Sequence, residues 1–196
     1  MGRMKLPGAI IIAAFVVVVG VSSTIAQDSA LVADIESMIS LGEKVHPSFA
    51  ESIRDRIKAN PAVVVQALLP KIEDTAAEEK NLAVYVWALG FTKDPNAADG
   101  IIALCDKTES DLVGSNCLNA LAAIGDEKSG AYIFAALDKT EGENERFEIL
   151  NLLAQMQYEP ALPVAMQIME VYFKQFYWKP IFIFGKYGDM DVPMLM

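Results

Sequence analysis

The feature that most constrains this chain is an internal repeat. Ile101–Ile124 reads IIALCDKTESDLVGSNCLNALAAI and Ile133–Met156 reads IFAALDKTEGENERFEILNLLAQM. At a shift of 32, ten of 24 positions are identical, and the run Asp106-Lys107-Thr108-Glu109 falls on Asp138-Lys139-Thr140-Glu141. Unrelated stretches of this composition would share only about one or two positions, so the architecture is one of repeated units.

Each copy carries a helical stripe. Cys117, Leu118, Leu121 and Ile124 fall at i, i+1, i+4 and i+7, one face of a 3.6-residue period. Ile149, Leu150, Leu153 and Met156 repeat it. Leu82, Ala83, Val86 and Leu89 show it earlier, and Tyr177, Trp178, Ile181 and Phe184 later. Gly90, Gly125 and Gly185 follow three of these stripes and read as left-handed helix stops, with Gln157 in that place in the fourth. An acidic turn and a second apolar segment come next. The unit is therefore helix, tight turn, helix, and a lone pair cannot bury its own stripe. The pairs must stack.

Read in order, Met1–Ala26 has Arg3 and Lys5, an apolar run Leu6–Val21 and small residues ending at Ala26. This predicts a signal peptide cleaved before Gln27, or an uncleaved membrane anchor. Either way the rest is expected to be exported: periplasmic or secreted, or tethered by that segment. Residues 27–196 form one continuous array, with no Pro/Gly/Ser-rich linker. A helix over Asp28–Leu41 ends at Gly42, and the next is expected to be capped by Ser48, with Glu51 completing a capping box. Its partner is Ala62–Ile72, where Val63-Val64-Val65 would also suit a strand but the helical neighbours decide. The firm pairs are Glu78–Leu89 with Ala97–Lys107, Asp111–Ile124 with Ser129–Lys139, and Glu143–Gln157 with Ala161–Val171. Tyr172–Phe184 opens a fourth, closed by Met190–Met196. The fold class is all-α: an α-solenoid of stacked antiparallel helix pairs behind an N-terminal signal or anchor helix.

The pattern Ala88-Leu89-Gly90…Asp94-Pro95…Ala98 and Ala122-Ala123-Ile124-Gly125-Asp126, each leading into an apolar second helix, resembles HEAT repeats. The resemblance is to the short form grouped with phycobilisome-lyase-like HEAT proteins. It covers Thr75–Asp189 and more loosely Ser48–Asp74. Such repeats often carry an arginine early in the first helix, and Arg146 is the residue here that fits. The resemblance implies a HEAT-like superhelix and a non-enzymatic scaffold for protein–protein interaction. Its alternative implication is a chromophore- or ligand-handling, lyase-like protein with a pocket on the concave face.

Composition narrows the partners. The net charge is −10, and an acidic chain without a basic stripe repels phosphate backbones, so nucleic acid is not an expected partner. One histidine and two cysteines leave little material for catalysis, and no catalytic residue, metal or cofactor is expected. His46 before Pro47 reads as a surface or capping residue. Glu141, Glu143 and Glu145, with Asp189 and Asp191, read as helix N-terminal charge.

Cys105 and Cys117 sit where the sister copy has Leu137 and Ile149, so both lie on apolar stripes. Export would favour a disulfide across the hairpin. A bridge, however, needs Cα atoms within about 7 Å, and buried free thiols are the other reading.

Tyr172–Tyr187 gathers eight of the chain's aromatics with Lys174, Lys179 and Lys186 and no acid. On the face where the third pair shows Asn144, Glu148, Asn151 and Gln155, this last helix has Tyr172, Phe176, Lys179 and Ile183. Three readings stand: cover by the tail and N-terminal segment, docking of an unidentified protein partner or a second copy, or contact with a membrane interface. Those four residues are the expected contact set. Membrane association is otherwise expected only through an uncleaved N-terminal segment.

Overall fold

The computed structural model of the chain describes residues 29–74 and 77–172, without the side chains of 43 and 168–172. The segment 1–26, the fourth helix pair and Gly185 lie outside the described residues. Among those residues the protein is all-helical, with nine α-helices and no strand. They are α1 (residues 29–41), α2 (Pro47–Ala59), α3 (Pro61–Glu73), α4 (Glu79–Thr92) and α5 (Pro95–Cys105). After them come α6 (Asp111–Ile124), α7 (Glu127–Lys139), α8 (Glu143–Gln155) and α9 (Leu162–Tyr172), with short 3₁₀ turns at Gly42–Lys44 and Glu159–Ala161. Val63-Val64-Val65 lies inside α3. Tyr172 belongs to α9, one helix earlier than the periodicity places it.

The helices sort into two layers. Each even helix packs on the next even one, α2 on α4, α4 on α6 and α6 on α8, while α3, α5 and α7 follow one another on the other side. α3, α5 and α7 also each lean on the even helix that follows. The stripes fill the space between. Val86, Leu121 and Leu153 are all fully buried, in one core that runs from Leu31 and Ile35 of α1 to Ala161 and Ala165. Ion pairs bind α1 to the first pair: Asp34 with Arg56 of α2 at 2.5 Å, and Glu36 with Lys71 of α3.

Local chemistry sets the boundaries. Asp94, Ser110 and Asp126 each accept a backbone N–H in the first turn of α5, α6 and α7, satisfying donors the helix leaves unpaired. Gly125 closes α6 at φ +75°, its N–H donating to Leu121 O. Gln157, in the copy without glycine, takes the same left-handed conformation after α8. Arg146 reaches back from α8 and donates to the carbonyls of Leu137 and Thr140, at 3.0 and 3.1 Å, adding to the one Thr140 N–H bond that closes α7.

Two local expectations are corrected. His46, not Ser48, caps α2: its ring nitrogen accepts from Ser48 N, and Pro47 opens the helix, where a missing N–H costs nothing. Gly90 does not stop α4, which runs two residues further to a left-handed Lys93. A Cβ on Gly90 would lie 2.8 Å from the Cα of Ala120, so its missing side chain lets α4 and α6 meet backbone to backbone. Glycine here is a spacing device.

Candidate functional site

The densest chemistry lies where α5, α6 and α7 meet. Cys105 is the last residue of α5 and is half-buried, while Cys117 sits mid-way along α6 with no exposure. The turn Asp106–Ser110 folds α6 back on α5 and brings the two thiols close enough to bear on each other's ionisation. Both are thiols. Tyr132 of α7 completes the group, its hydroxyl donating to Asp106 Oδ1 at 2.8 Å while also lying within hydrogen-bonding reach of Cys105.

These neighbours make the two thiols unlike each other. Hydrogen bonding from Cys117 draws the Cys105 thiol down to about 7; burial opposes this, the Tyr132 hydroxyl assists it, and the Asp106 carboxylate works against it. Cys117 is pushed up by giving that same hydrogen bond and by its burial. Two opposite shifts on one contact describe a single proton held by the pair, with Cys105 the sulfur that ionises. Tyr132 is pushed up, first by burial and then by its bonds to Cys105 and Asp106.

A second feature is a groove of about 530 Å³ between α6 and α8, lined by Leu118 and Asn119 on one side and Glu148, Asn151 and Leu152 on the other. Asn119 and Asn151 are the same position in successive copies, 32 residues apart. Asn119 donates to Ser115 O at 2.8 Å.

Of the residues singled out from sequence, Cys105 and Cys117 come together. Tyr172 is placed at the end of α9 with its side chain outside the description, and Phe176, Lys179 and Ile183 lie outside the described residues. Tyr132 and Asp106 are additions. No spacing rule pointed to Tyr132, because its partners arrive through tertiary packing. Among the described residues no three metal-ligating side chains converge, and no helix is long and apolar enough to cross a membrane. No family model, curated protein or solved structure matches the chain.

Proposed function

We propose that the chain is an exported, non-enzymatic HEAT-like α-solenoid that binds another protein along its even-helix face and through its aromatic C-terminal helix. The observation that carries this reading is the groove between α6 and α8. Two sister helices present an asparagine at the same register there, the arrangement a repeat scaffold uses to read an extended or helical segment in steps. Amides suit this task because each offers donor and acceptor to a peptide backbone. The aromatic set Tyr172, Phe176, Lys179 and Ile183 supplies the large anchoring surface that polar grooves lack, for a partner or for a second copy. Export rests on the charged and apolar opening of Met1–Ala26.

Photo-crosslinking residues placed singly at Glu148 and Phe176, with Asp99 on the odd layer as control, test the binding reading. A discrete protein adduct from Glu148 or Phe176 and none from Asp99 is expected. Silence at both, or equal labelling at all three, rejects it. Intact mass of the protein made in cells tests export: a mature chain starting at Gln27 marks cleavage, and a full-length chain found only in the cytosol ends the export reading.

A further inference from the structure

We propose that Cys105 and Cys117 are a dithiol–disulfide couple, with Cys105 the attacking sulfur, Cys117 the resolving one, and a small-molecule or protein disulfide the oxidant. Three observations carry it. The two side chains lie close enough across the packed α5–α6 junction for each to shift the other's ionisation, and they are the only cysteines of the chain. Their exposure is graded: Cys105 is half-buried and reachable, while Cys117 is wholly buried behind it. Finally, Cys105 ends its helix. The sulfurs must close to a bond of about 2.05 Å, and a helix-terminal residue can give the needed shift where Cys117, mid-helix in the core, cannot.

The chemistry balances in two exchanges. The Cys105 thiolate attacks one sulfur of the oxidant RSSR, forming a mixed disulfide and expelling RS⁻, which takes up a proton. The Cys117 thiol, its proton passing to solvent or to the leaving thiolate, then attacks the Cys105 sulfur and expels the second RSH. The protein loses two electrons and two hydrogens, and the oxidant gains them as two thiols. Tyr132 is a positioning residue. Its hydroxyl gives its one proton to Asp106 Oδ1 at 2.8 Å, which holds the phenol oxygen beside Cys105. Asp106 is the charged group bearing on this sulfur, with Cys117 and Tyr132 facing it from α6 and α7.

The experiment uses the full chain and oxidised glutathione, followed by thiol capping, intact mass and peptide mapping. Wild type should lose both thiols, retain no glutathione, form no intermolecular disulfide and yield a peptide pair bridged from Cys105 to Cys117. Cys117→Ser should accumulate one glutathione on Cys105, and Cys105→Ser should leave Cys117 unmodified while folded. Tyr132→Phe should slow the first exchange severalfold without changing the bridged product. A mixed disulfide that persists in wild type, intermolecular dimers as the product, or thiols that react only after unfolding would each overturn the proposal. The wild-type map decides even if a variant fails to fold.

Discussion

At the scale of single residues, two glycines in similar sequence settings do different work, and substitution separates them. Gly90→Ala places a methyl against the Ala120 backbone, so it should destabilise by about 1–3 kcal/mol through overpacking, despite alanine's better helix propensity. Gly125→Ala has room for its Cβ and suffers only the left-handed backbone, about 1–2 kcal/mol. Urea unfolding of both variants checks this, and Gly90→Ser should be worse again than Gly90→Ala while Gly125→Asn should recover much of the loss. Cys105 supplies the pH test. Its alkylation rate in the folded protein should rise with a midpoint near pH 7, and Cys117→Ala should move the midpoint up toward the ordinary thiol value, because the donor is gone. The linkage has a definite sign. The folded Cys105 thiol ionises near 7 and the unfolded one near 9, so the unfolded chain binds more protons between them and stability rises with pH across that window. Above it the effect reverses, since Cys117 stays protonated in the fold.

At the scale of elements, caps decide where helices begin, and they were largely legible. α6 has the bounds the periodicity predicts and Gly125 ends it as read, whereas α8 stops at Gln155, two residues short of the expected Gln157. The stripe residues are buried because a 3.6-residue period fixes which side chains share a face before any neighbour is known. Gly90 and Ser48 were misread for the same reason: sequence shows that a residue can break or cap a helix, but packing decides whether it does. The Cys105–Tyr132 association was illegible, since nothing local places a residue of α7 over the end of α5. Arg146 connects two elements and offers a measurable case. Arg146→Ala should cost about 1–3 kcal/mol by removing the charged donor from the Thr140 carbonyl and leaving Leu137 O with the Thr140 N–H alone, and hydrogen exchange should show fraying at the end of α7. Asp126→Ala should cost about 1 kcal/mol at the opposite end of the same helix.

At the scale of the whole molecule, every substantial helix contact joins elements no more than two apart in order. Such local wiring favours fast folding. It also makes damage regional. Leu121→Ala, in the fully buried centre, should destabilise by about 2–5 kcal/mol and expose α4–α8 to hydrogen exchange, while the α1–α3 end, pinned by Asp34–Arg56 and Glu36–Lys71, retains more protection. Uniform loss across all helices would show a single cooperative block instead. The same wiring has a mechanical side. Because among the described residues no helix at the α1 end grips one at the α9 end, tension applied across α1–α9 passes through the layers in series, and this region should lengthen in steps of one hairpin, as a concertina does, with the Gly90–Ala120 junction the last fold to open.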